Sequence, residues 1–166
     1  MKFNLKIFDP DPNIIADLKE ELGDLPSITM HLVDKMLYLE PPGGIDVLYL
    51  PLAAAERFGA KPLIHESRIF ATSPEDRQAG LPGFVISGTC LAPADPRGPI
   101  PEMRILLSAV FDAIRTFNGR EEVQLQRVGF WAYNLLSGLT PTELRRILLE
   151  VVPELRSEGT ETKDVS

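Results

Sequence analysis

Residues 127–152, RVGFWAYNLLSGLTPTELRRILLEVV, decide how the chain is read. The β-branched and aromatic run Val128, Phe130, Trp131 and Tyr133 predicts a buried strand closed by turn-forming residues. A glycine-containing turn follows, and after it an amphipathic helix with a full set of start signals. Thr140 is placed to accept from the Glu143 N–H, the Glu143 carboxylate to reach back, and Pro141 to fill the first helical position, where no N–H is needed. Leu144, Ile147, Leu148 and Val151 then recur at i, i+3, i+4 and i+7 and form one apolar face. A strand turning into a helix in this way leaves unpaired amides and the positive end of the helix dipole at the strand's carboxyl edge, where open α/β sheets hold anions. Asn134, Ser137, Gly138 and Thr140 would line that spot. The plain alternative is a helix that is merely well capped, since no Gly-x-Gly run accompanies the turn.

Upstream of this stretch the same alternation repeats. Lys2–Phe8 places Phe3, Leu5 and Ile7 on one side of a strand that ends at Asp9-Pro10. Asp11-Pro12 starts a helix whose stripe, Ile14, Ile15, Leu18 and Leu22, stops at Gly23. Ile28, Met30 and Leu32 alternate with Ser27, Thr29 and His31 in a second strand, and His31 reads as a structural or solvent-facing histidine because no second His is near. After the turn signal Pro41-Pro42-Gly43-Gly44, the run Ile45–Leu50, IDVLYL, predicts a central strand covered on both faces. A short helix is expected over Leu52–Phe58. Ala60–Pro82 reads as a loop with one short strand or helix at Ile64–Ala71, and its His65, Glu66 and Arg68 as surface residues. Phe84–Cys90 is a further strand, followed by a proline-stiffened loop carrying Arg97. The longest helix runs from Ile100 to Phe117, with Glu102 near its start, a stripe of Leu106, Ala109, Val110, Ala113, Ile114 and Phe117, and Asn118-Gly119 as its end. Ser157–Ser166 has no apolar periodicity and reads as a disordered tail.

Strands alternating with helices predict one α/β domain over residues 1–156, a three-layer α/β/α sandwich around a mixed, mostly parallel sheet. Loops at the carboxyl ends of Leu32, Leu50, Cys90 and Tyr133 would meet on one rim, the usual place for a ligand crevice. With 166 residues the chain is long enough to bury a core without metal or disulfide. Cys90 is the single cysteine and reads as a small core residue. A net charge of −7 with no Lys/Arg block argues against nucleic acid, while a small anion held by backbone amides stays compatible. The start of the chain lacks a signal-peptide pattern and no stretch reaches transmembrane length, so a cytoplasmic location away from membranes is expected.

Taken together, these landmarks resemble a macro domain, the ADP-ribose-binding α/β fold, over about Met1–Val152. KIFDPDPNIIADLKEELGDLPSITMHLVDKML resembles the strand, helix and strand that open such domains, and Asp34 matches the acidic residue that hydrogen-bonds adenine. IDVLYLPLAAAERFG, with Leu50 and Pro51, takes the place of the family's strand and Asn-rich loop. VGFWAYNLLSGLTPTELRRILLEVV is similar to the last strand, phosphate-cradling loop and helix, which puts Asn134, Leu136, Ser137, Gly138 and Leu139 where that loop wraps the diphosphate and distal ribose. Leu50–Phe58 contains no asparagine and no Gly-Gly pair, and the second loop keeps the single glycine Gly138. The resemblance therefore implies a module that binds ADP-ribose, a related nucleotide or a small anion, without catalysis and with no cofactor or metal. The alternatives are a degenerate macro fold whose crevice is closed by Leu135, Leu136 and Leu139 and which serves a protein partner or a homodimer, and a hydrolase or phosphatase acting on ADP-ribosyl groups. The last would need His65, Glu66 or Arg97 to enter the crevice.

Overall fold

Apolar residues alternate along the first strand, β1 (Asn4–Asp9), and each set goes into a different core: Leu5 and Ile7 on one face, Phe8 on the other. A computed structural model of the chain describes residues 2–34, 44–50, 67–78, 80–88 and 98–156. Pro51, the short helix expected over Leu52–Phe58, His65, Glu66, Cys90, Arg97 and the tail from Ser157 lie outside those residues. Helix α1 (Pro12–Leu22) starts where expected, with the Asp11 carboxylate accepting from the Asn13 N–H at 2.8 Å and Pro12 in the first turn. Strand β2 (Ile28–Leu32) returns parallel to β1.

The remaining elements are β3 (Val47–Tyr49), β4 (Ser67–Ala71), α2 (Pro74–Gln78), β5 (Phe84–Gly88), α3 (Pro99–Arg120), β6 (Arg127–Trp131), α4 (Ala132–Leu135) and α5 (Pro141–Val151), with a 3₁₀ turn over Pro153–Arg156. The sheet order is β2-β1-β6-β3-β5-β4, parallel except for β4, which pairs antiparallel with β5 at the edge. The interior position of β3 explains its continuous apolar sequence: Val47 and Tyr49 face one core and Leu48 the other.

Direction of travel across the sheet fixes which face each connection covers. β1 to β2 and β5 to β6 move the same way, so right-handed crossovers put α1 and α3 on one face, and α5 packs against both of them there. β2 to β3 and β3 to β5 move the opposite way, and described residues of those connections lie on the second face. Val33, Ile45 and Leu81, from those connections, pack on that face against Phe8, Leu48, Val85 and Trp131. Both faces of the sheet are thus covered, and the protein is a three-layer α/β sandwich. α5, which follows β6, covers the first face, whereas the step from β3 to β5 runs the opposite way across the sheet, so the gap between the carboxyl ends of these neighbours is the topological switch point.

The layer of α1, α5 and α3 is tied by arginines. Arg145 on α5 donates to both oxygens of Asp24 and to the Glu21 carbonyl, and Arg115 on α3 donates to both oxygens of Glu154 at 2.7 and 2.9 Å and to the Val151 carbonyl.

Four local expectations change. Helix α3 does not end at Asn118-Gly119 but runs to Arg120, because the Asn118 side chain is buried and bonded to Leu125: its Nδ2 donates to the Leu125 carbonyl at 3.0 Å and its Oδ1 accepts the Leu125 N–H at 2.8 Å. The buried face of α3 is Met103, Leu107, Val110, Phe111, Ile114 and Asn118, turned from the expected stripe, so Leu106, Ala109, Ala113 and Phe117 lie only partly buried beside it. Strand β6 stops at Trp131, and Tyr133 and Asn134 enter a single helical turn, α4. The charged cluster Glu75-Asp76-Arg77, read as loop, belongs to α2, which is capped reciprocally by Ser73 and Asp76.

Candidate functional site

At the switch point the chain leaves β6 through α4, whose end is closed by the Leu136 N–H donating to the Ala132 carbonyl at 2.9 Å. Gly138 then sits at φ +74, the left-handed region that lets the chain reverse, and the Leu139 N–H returns to the Leu136 carbonyl at 3.2 Å. A Cβ on Gly138 would lie 3.1 Å from Pro99 Cβ, so the turn rests directly on the start of α3. Thr140 and Glu143 complete the capping box of α5, at 3.2 Å to the Glu143 N–H and 2.9 Å to the Thr140 N–H.

Between this turn and α3 lies a cavity of about 360 Å³. Tyr49 from the end of β3 and Tyr133, Asn134 and Ser137 from the α4 turn form one side, while Pro99, Glu102, Met103 and Leu106 from α3 form the other. Tyr49 is nearly buried and stacks on Phe130 with ring centres 5.2 Å apart, whereas Tyr133 is 40% exposed at the mouth. The Asn134 Nδ2 is buried and has no hydrogen-bond partner among the described residues, a state that costs about 1–3 kcal/mol until an acceptor reaches it.

The electrostatics of the lining are specific. Among the described residues Glu102 is the one charged group of the lining, and it makes no ion pair with any of them. The first turn of α3 contains Pro99 and Pro101, which have no N–H, so this helix start offers few donors to an anion. At the foot of α5 the amides of Thr140 and Glu143 are taken by the capping box. The amides of Ser137 and Gly138 donate to no acceptor among the described residues.

Of the residues singled out in the sequence, Asn134 and Ser137 line the cavity, and Gly138, by its contact with Pro99, shapes it. Leu136, Leu139 and Thr140 flank it without lining it. Leu135 and Leu139 turn into the main core and Leu136 packs against it, so the leucines of the turn do not fill the hollow. Leu50 is 1% exposed, with its side chain in the second-face core and its N–H bonded to the Ile86 carbonyl at 2.9 Å. Asp34 is exposed just beyond β2, two strands from β6 and so roughly 10 Å along the rim at the usual strand spacing. Sequence reasoning did not find Tyr49, Glu102, Met103 or Leu106 as lining residues; Glu102 stood out only as a favourable helix-start charge. His31 bonds to the Thr29 hydroxyl at 2.9 Å on β2, away from the cavity, and burial, helped by Lys6 and Lys19, lowers its pKa.

A larger, shallower hollow of about 670 Å³ runs beside α3 next to edge strand β4, between Ser67 and Ile69 on the strand and Ala109, Ala113 and Phe117 on the helix. None of the expected site residues that are described lines it, and it lies away from the switch point. Among the described residues no group of three or more His, Cys, Asp or Glu is placed to hold a metal ion, and no helix is long and apolar enough to cross a membrane. In comparison with known proteins, the chain matches no family model and no curated protein.

Proposed function

We propose that the protein is a macro-like binding module that takes ADP-ribose or a related nucleotide at the carboxyl rim of its sheet and holds it without transforming it. The observation that carries this reading is the open cavity of about 360 Å³ at the switch point, walled by Asn134 and Ser137 on one side and α3 on the other. Small-molecule sites span roughly 300–1,000 Å³, so a cavity at the lower end of that range encloses one end of an extended ligand and leaves the rest to the rim. The Ser137 and Gly138 amides are suited to a phosphate at the mouth. Asp34, farther along the same rim, is the acceptor the resemblance assigns to adenine. The test is calorimetry with ADP-ribose on the wild type, Asn134→Ala and Asp34→Ala. Binding that weakens about tenfold in each variant supports the reading, and the absence of heat at millimolar ligand rejects it.

A second reading, a protein-interaction domain, is supported by the hollow beside β4. There the apolar surface of α3 is wider than the core uses, leaving Ala109, Ala113 and Phe117 to wall an open groove. Analytical ultracentrifugation of the wild type and Phe117→Glu distinguishes self-association through this groove from a monomer.

A further inference from the structure

We infer that the cavity is a subsite for an uncharged or cationic ring carrying hydroxyl or amino donors, with the Glu102 carboxylate as acceptor, and that phosphate is kept at the rim. The inference rests on the reading above that this cavity is where the ligand sits, and it specifies which chemistry the cavity accepts.

Among the described residues the lining carries one carboxylate and no lysine or arginine. A phosphate inside would therefore meet Glu102 with no cation among the described residues to offset the repulsion, and the proline-rich start of α3 supplies few amides in compensation. A hydroxyl pair or an amine reverses the situation, because a carboxylate accepts charge-assisted hydrogen bonds from both. The remaining walls suit a ring: Tyr49, Met103 and Leu106 give apolar surface. Asn134 adds an amide whose buried Nδ2 lacks an acceptor, which a ring nitrogen or hydroxyl oxygen can provide. The two tasks are thus divided between neighbouring parts of the α4 turn and α3: amides at Ser137 and Gly138, without an acceptor among the described residues, for an anion outside, and an acceptor at Glu102 for a donor-bearing ring inside.

The experiment measures dissociation constants of adenosine, 5′-amino-5′-deoxyadenosine, AMP and ADP-ribose for the wild type and Glu102→Gln, each first shown to be folded by its thermal transition. In the wild type the amine is expected to bind about tenfold more tightly than adenosine, equivalent to about 1.4 kcal/mol. In Glu102→Gln that spread should fall to about threefold or less, and the salt dependence of amine binding should flatten. Adenosine binding as tightly as the amine to the wild type, or an unchanged spread in the variant, overturns the inference and leaves the proposed function standing. ADP-ribose failing to bind while adenosine and the amine bind rejects the nucleotide reading and supports the inference. If none of the probes binds, both fall.

Discussion

The same chemical change, glycine to alanine, should have opposite effects at two positions of this fold. Gly138 has φ +74 in the turn after α4, and a Cβ there would meet Pro99 Cβ at 3.1 Å and Cγ at 3.4 Å. Holding a residue with a Cβ in the left-handed region costs about 1–2 kcal/mol. The reduced freedom of the unfolded chain returns about 0.4–1 kcal/mol, and the contact with Pro99 adds to the cost again. We expect Gly138→Ala to lose about 1–2 kcal/mol, which for a protein of this size is a fall of about 2–8 °C in Tm. Gly119 is helical and exposed, with nothing within 4 Å of where an added methyl would sit, so Gly119→Ala should gain about 0.5–1 kcal/mol. Urea denaturation with unchanged m values measures both. Because the Gly138 methyl pushes against a wall of the cavity, that variant should also bind ligand more weakly, while Gly119→Ala should bind as the wild type does. A Gly138→Ala protein as stable as the wild type, or a destabilised Gly119→Ala, would refute the assignment of conformation and packing at these turns.

Further outcomes follow from the bonds that close the α3 layer. Asn118→Ala removes both side-chain bonds to buried Leu125 and should cost about 2–4 kcal/mol, with faster hydrogen exchange at the Leu125 amide. For Glu154, burial alone would raise the carboxyl pKa, but the two bonds from Arg115 outweigh it and hold the group below its ordinary 4.5. A lowered folded pKa means that the stabilisation is complete above that ordinary value and is lost as pH falls through the folded one. The stability gap between wild type and Arg115→Met, about 1–3 kcal/mol at pH 7, should therefore narrow below about pH 4.5; a gap that is constant from pH 7 to pH 3 contradicts the pairing. Thr140→Ala breaks the capping box and should cost about 1 kcal/mol, read by the same denaturation assay.

What was legible in the sequence was whatever local chemistry decides. Thr140-Pro141-Thr142-Glu143 and Asp11-Pro12 specify helix starts within a few residues, and the caps form as the side chains predict. Within IDVLYL, the run Val47–Leu50 specifies an interior strand because all four of its side chains are apolar or aromatic. Asn118-Gly119 misled because an Asn-Gly pair usually ends a helix, whereas here Leu125, brought back from beyond the helix, captures the Asn118 side chain. The stripe of α3 was misplaced because that helix is apolar around more than one face, so only its neighbours decide that Leu107 and Phe111 point inward and that Leu106 reaches the cavity. The site was half visible for the same reason. Asn134 and Ser137 follow a strand and announce themselves, but Tyr49 and Glu102 reach the same cavity from β3 and α3, and their meeting depends on sheet order. Ser73 and Asp76 carried a readable capping signal that the surrounding prolines and charges obscured.

The central claim is that the hollow between the α4 turn and α3 is where this protein holds a nucleotide-like ligand. Amide chemical-shift mapping during titration with ADP-ribose tests it most directly. The account predicts that the largest shifts fall at Tyr49, Glu102, Tyr133, Asn134, Ser137 and Gly138, with smaller ones toward Asp34. Shifts confined to Ser67, Ile69 and Phe117 beside β4, or none at saturating ligand, would contradict it.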